Sequence, residues 1–127
     1  MTATLPDTWQ ITLPYKRPPL SQNDRGSHWK FVPIKKRIRI DVAWLARCHH
    51  VPALERAHIV LHWQPEVYRH RDTDNPAPTL KSCIDGLRDA HVLVDDDSTR
   101  VTSHVVIHDV ARGTSARVWL QIRRVTA

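Results

Sequence analysis

Apolar and polar positions alternate in four stretches of the chain and recur at helical spacing in two others. Gln10 to Leu13 alternates and stops at Pro14, as a short strand does. Residues 14–30 read as a loop, with Pro18-Pro19 followed by Ser-Gln-Asn-Asp-Arg-Gly-Ser. From residue 34 to 48, Ile34, Ile38, Val42 and Leu45 share one helical face, while Lys35, Lys36, Arg37 and Arg39 lie mostly off it. Ala57 to Gln64 alternates again, with Ile59, Leu61 and Trp63 on one side and His58, Val60 and His62 on the other. Residues 65–78 form a polar loop. A second helix follows over Thr79–Asp89, carried by Leu80, Cys83, Ile84 and Leu87. Val92 to Val94 lead into Asp95-Asp96-Asp97-Ser98. A strand from about Arg100 to His108 and another over Ala116–Arg124 are joined by a turn at Ala111-Arg-Gly-Thr, which predicts an antiparallel hairpin.

The element order is therefore β-α-β-α-β-β. The strand–helix–strand unit around the second helix predicts a right-handed parallel crossover. The expected fold is α+β, a small mixed sheet with helices packed on it. The 127 residues suit a single domain spanning 1–127.

Charge adds a partner to this picture. The formal net charge is +6, and a basic surface on a small domain points to a polyanion, because neutralising phosphates releases condensed counterions. Cys48 and Cys83 form no C-x-x-C pair and fit a reducing compartment. The opening Met1-Thr-Ala-Thr-Leu-Pro has no basic region followed by an apolar stretch, and no apolar run is long enough for a membrane span. A cytoplasmic protein is expected. Among the histidines, His104 and His108 share a strand face about 13 Å apart, too far for one metal ion, and read as surface or sheet residues.

Acidic residues are unevenly placed. Seven of the 13 fall between Asp72 and Asp97, all of them Asp, behind a segment holding twelve of the Lys and Arg. Clustered carboxylates repel one another and raise each other's pKa, and a divalent cation offsets that repulsion. Short hard carboxylates suit Mg²⁺, with Mn²⁺ as an alternative. Asp72 and Asp74 point to one side in extended backbone and precede the second helix; Asp95 to Asp97 follow it. A parallel crossover puts these two segments at opposite ends of the sheet, so a return segment after the helix is needed to bring them together. Taken singly, Asp72-Thr-Asp-Asn reads equally as an Asx turn and the Asp triplet as a solvated turn. The calcium-loop pattern fails, with Pro76 and Ala77 at its fifth and sixth positions.

Arg71-Asp-Thr-Asp-Asn75, Lys81-Ser-Cys-Ile-Asp-Gly-Leu87 and Val94-Asp-Asp-Asp-Ser98 together resemble the RusA family of Holliday junction resolvases. The likeness lies in D-x-D-N, a helix Lys with D-x-L, and a D-D pair about ten residues later, as Asp95 follows Asp85. It is strongest over residues 69–101 and weaker in Ile11-Thr-Leu-Pro14 and the Pro18-Pro19-x-Ser-x-Asn23 stretch. Five residues separate Asn75 from Lys81 where the family often has two.

The resemblance implies a RusA-like fold and a Mg²⁺-dependent endodeoxyribonuclease. Such an enzyme resolves four-way junctions by paired symmetric phosphodiester hydrolysis in DNA recombination and repair. It implies metal-binding, catalytic carboxylates at Asp72, Asp74 and Asp96, with Asp95 accessory and Asp97 leaving the choice within the triplet open by one position. A bound ion would ionise a water and stabilise the leaving 3′ oxygen. Lys81 matches the family's helix lysine and would stabilise phosphoryl charge; the bland reading is an i,i+4 ion pair with Asp85. Asn75 matches the motif's Asn, a DNA contact or simply a cap or turn former. Further DNA contacts are expected from Lys16, Arg17, Arg25, Lys30, Lys35, Lys36, Arg69 and Arg71, the last two flanking the site. A solvated helix face remains the bland reading of the first helix's basic run. Trp29 reads as core rather than as a platform for an unpaired base. The two-fold symmetry of a junction calls for a homodimer. A phage or prophage origin and a place in the bacterial cell or nucleoid fit the resemblance. The competing readings are a non-catalytic basic DNA-binding module and a nuclease for other branched DNA.

Overall fold

The computed structural model describes residues 7–21, 26, 28–65, 75–94, 99–109 and 115–126. Six elements follow in the expected order: β1 (Thr8–Leu13), α1 (His28–Cys48), β2 (Ala57–Gln64), α2 (Ala77–Asp89), β3 (Val101–Ile107) and β4 (Arg117–Arg124). They build a small α+β protein with one mixed four-stranded sheet in the order β1-β4-β2-β3.

β2 and β3 run parallel with α2 between them, as the crossover requires, and Ala57 is level with Val101. The expected β3–β4 hairpin does not form. β4 pairs antiparallel with β1 on one side and with β2 on the other, so it sits inside the sheet while β3 is an edge. Burial explains the exchange. Val118, Trp119, Leu120 and Ile122 make β4 a strand to be flanked on both sides, whereas Thr102, Ser103 and His104 leave β3 fit for solvent. The short link between the two strands favours a hairpin locally, and the apolar surface of β4 outweighs it.

α1 starts six residues ahead of the expected Ile34 and runs through Pro33. A proline there removes one backbone donor and crowds the preceding turn, a local cost that the long buried stripe behind it offsets. That stripe is Ile38, Val42 and Ala46, with Ile34 and Leu45 half-buried at its borders. α2 likewise begins earlier than expected, at Ala77, because Pro78 falls in its first turn, where a missing N–H costs nothing.

One core unites all six elements. Ile11, Ile59, Leu61, Leu120 and Ile122 line one face of the sheet, and Val42, Cys83 and Leu87 close over them from the helices. α1 and α2 meet at Gly86, where an added Cβ would lie 2.8 Å from the Arg39 carbonyl oxygen. The other face carries the alternate residues of every strand, and among the described residues no helix covers it.

Candidate functional site

α2 separates the two acidic segments, and both of its ends are described. At its start the Asn75 side-chain oxygen accepts the Ala77 N–H at 3.0 Å, an Asx turn leading into the helix. The cap position is Pro76, whose ring carries no hydrogen-bonding atom, so Asn75 serves as the turn former. One turn on, the buried Thr79 hydroxyl donates to the Leu20 carbonyl at 2.7 Å and accepts the Leu20 N–H at 2.9 Å. This ties the Pro18-Pro19-Leu20 loop to the helix. Lys81 is exposed, and among the described residues no ion pair joins it to Asp85, so the i,i+4 pair is not what holds it.

The far end of α2 is a charged groove of ≈ 410 Å³ lined by Arg39, Asp85, Arg88, Asp89, His91, Leu93 and Val94. Arg39 crosses from α1 and holds the Asp89 carboxylate with both arms, at 2.9 and 2.8 Å. That bidentate contact keeps the Asp89 carboxyl below its ordinary range. On either side of residues 95–98 the described chain stays at this end of the helix. The Leu54 N–H donates to the Val92 carbonyl at 2.8 Å, Leu54 bridges Leu93, and the Ala57 N–H donates to the Arg100 carbonyl at 2.9 Å. Asn75 and Val94, the neighbours of Asp74 and Asp95, are thus held at opposite ends of a 13-residue helix. Such a helix is about 20 Å long.

Asp72, Asp74, Asp95, Asp96, Asp97, Arg25, Arg69 and Arg71 lie outside the described residues. Among those described, no three His, Cys, Asp or Glu side chains come together as a metal cluster. Burial pushes the Cys83 thiol up to about 12, which leaves it inert in the core.

The described basic candidates fall in two places. Lys16 and Arg17 are exposed after β1. Lys30, Lys35 and Lys36 are exposed along α1, where Lys35 and Lys36 share a shallow depression with Val32, Arg39 and Ile40. Trp29 corrects an expectation. It is 78% exposed, because the first turn of α1 precedes the stripe that packs on the sheet.

The open face of the sheet holds the histidines expected as surface or sheet residues, and it joins them in pairs. His58 Nε2 and His104 Nδ1 are 2.7 Å apart, and His62 Nδ1 and His108 Nε2 are 2.9 Å apart. In each pair one ring donates N–H to the lone pair of the other. Thr102 reaches the second nitrogen of His58 at 2.6 Å, and Gln121 that of His62 at 2.9 Å. Trp119 packs against His62 with ring centroids 4.8 Å apart and planes 1° from parallel, and Arg117 lies 4.3 Å from its ring. Burial, the neighbouring imidazole and Arg123 together lower the pKa of His58; burial, His62 and Arg117 do the same for His108, against a small opposing pull from Asp109. The signal for these pairs was in the spacing. Histidines four apart on each of two parallel strands meet across the ladder, not along it.

No family model and no curated protein matches the chain.

Proposed function

We propose that the protein is a metal-dependent endodeoxyribonuclease of the RusA type that resolves four-way DNA junctions as a homodimer. The observation that carries this reading is the concentration of aspartates on α2 and its two connections, in a chain of net charge +6. The exposed Lys81, free of Asp85, supports it from the same helix.

By donor chemistry the carboxylates of Asp72, Asp74 and Asp96, with Asp95 accessory, fit Mg²⁺ or Mn²⁺, ions that prefer hard oxygen ligands. Bound there, such an ion supplies an activated water and charge stabilisation for the leaving oxygen. The Lys81 ammonium orients the scissile phosphate and offsets charge that develops on its oxygens. Arg69 and Arg71 hold the flanking phosphates, and Lys35 and Lys36 extend the contact along α1.

A second reading has an observation of its own. Asn75 and Val94 stand at opposite ends of α2, so the two acidic segments are anchored apart. That favours a basic DNA-binding module whose aspartates are solvated turns. Cleavage of a labelled four-way junction in Mg²⁺ separates the two, with a flap and a linear duplex alongside. The nuclease reading expects paired symmetric cuts by the wild type, and binding without cuts by Asp74→Asn. Mixing Asp74→Asn with Asp96→Asn tests whether the carboxylates of one site come from two copies, since activity then returns in the mixed dimer. Junction binding with no metal-dependent nick would leave the binding module standing.

A further inference from the structure

We infer that the open face of the sheet is a track for the phosphate backbone of DNA, a surface additional to the basic residues around α1 and the acidic segments. It rests on the DNA reading above only for the identity of the polyanion. The strand registers define this face as the alternate positions from Thr8 on β1, through Arg117 to Arg123 on β4 and His58 to Gln64 on β2, to His104 on β3. Not one of those strand positions is Asp or Glu, in a chain with 13 acidic residues. Arg117 and Arg123 are exposed on it, and the His58 imidazole, hydrogen-bonded to His104, lies beside Arg123.

The face suits phosphates better than bases. Trp119, its large aromatic residue, is only 8% exposed and already packed against His62, His108 and Arg117, so it offers no platform for stacking. Apart from the half-buried Val106, what the face presents to solvent is guanidinium, imidazole, amide and hydroxyl, all able to donate to phosphate oxygens. Arg117 and Arg123 are six residues apart on β4, about 20 Å along the strand, with side chains on the same side. Two cations so far apart, with no carboxylate between them among the described strand positions, match a line of phosphates rather than a single small anion.

Binding along such a track is indifferent to sequence and steep in salt, and the slope counts the contacts. Each phosphate contact contributes about 0.9 to the fall of log K with log salt on duplex DNA. The test is equilibrium binding of a labelled duplex and of a four-way junction in EDTA, so that no cleavage intrudes, across a salt series. Arg117→Gln/Arg123→Gln is expected to weaken binding about tenfold and to flatten the slope by about two. Arg123→Gln alone, whose side chain has no hydrogen-bond or ring partner among the described residues, flattens it by about one and leaves the Trp119 packing intact. Arg47→Gln, an equal loss of charge on α1 in the opposite layer, leaves the slope unchanged. A wild-type slope in the folded double variant overturns the track. Because cleavage is not read, a failed nuclease assay with a flattened slope sinks the catalytic reading and keeps this one, and the reverse result does the opposite.

Discussion

The Thr79 hydroxyl answers both backbone groups of Leu20, 59 residues away: its oxygen lies 2.7 Å from the Leu20 carbonyl oxygen and 2.9 Å from the Leu20 nitrogen. Thr79 is fully buried and Leu20 almost so. Thr79→Val keeps the shape and leaves a buried donor and acceptor without partners, a loss of about 1–3 kcal/mol. Thr79→Ser keeps the hydroxyl and is expected to cost less. Urea unfolding of the three proteins measures the order; equal stability of the Val and wild-type proteins would refute it.

Gly86 predicts a sign that helix propensity gets wrong. Within a helix, Gly to Ala normally gains up to about 1 kcal/mol. Here the new Cβ would stand 2.8 Å from the Arg39 carbonyl oxygen and 3.0 Å from Val42 Cβ. Backbone cannot swing away as a side chain can, so α1 and α2 must separate. Gly86→Ala is expected to destabilise by about 1–3 kcal/mol, the range of an overpacked core. A rise in the unfolding midpoint would show that the helices yield freely.

How much of this was legible in the sequence depends on the range of the interaction. β2 was readable to the residue because its alternation is local, and the faces of α1 and α2 were readable for the same reason. The place of β4 was not, because turn proximity argues for a hairpin and only the apolar surface of the whole sheet argues against it. Both helices begin ahead of their apolar pattern, α1 running through Pro33 and α2 taking Pro78 into its first turn, and periodicity does not mark such starts. Of the candidate site, the role of Asn75 as a turn former and the exposure of Lys81 were within reach. The exposure of Trp29 was not, since it depends on where α1 begins to touch the sheet. The histidine pairs needed two strands considered together.

Those pairs predict the acid limb of stability. His58 and His108 are held below the ordinary histidine value of 6.5, so the unfolded chain takes up their protons first. Their contribution is full above that value and is lost as pH falls through it toward the lower folded values. Asp89 works in a lower window, since its depressed carboxyl stabilises above the ordinary 3.8 and loses that only as pH falls below. A fall in unfolding free energy as pH drops below the ordinary histidine value, above the carboxylate window, therefore belongs to the histidines. It is expected to flatten in His58→Asn/His108→Asn; an unchanged slope in that variant would assign it elsewhere.

Lys81 separates a charge that serves the substrate from one that serves the helix. It projects from α2 to solvent and pairs with no carboxylate among the described residues. Exposed pairs are worth well under about 1 kcal/mol in any case, so Lys81→Ala is expected to leave the unfolding midpoint where it was. If the ammonium acts on the scissile phosphate, the same change lowers junction cleavage about a hundredfold, the scale of losing one preorganised donor to transition-state charge. Junction binding in EDTA weakens far less, because one cation among many contacts is removed. Lys81→Arg keeps the charge with a different reach and should recover part of the rate. Cleavage at the wild-type rate by Lys81→Ala would remove this residue from the chemistry, while a lowered midpoint with a proportionate loss of cleavage would make it structural.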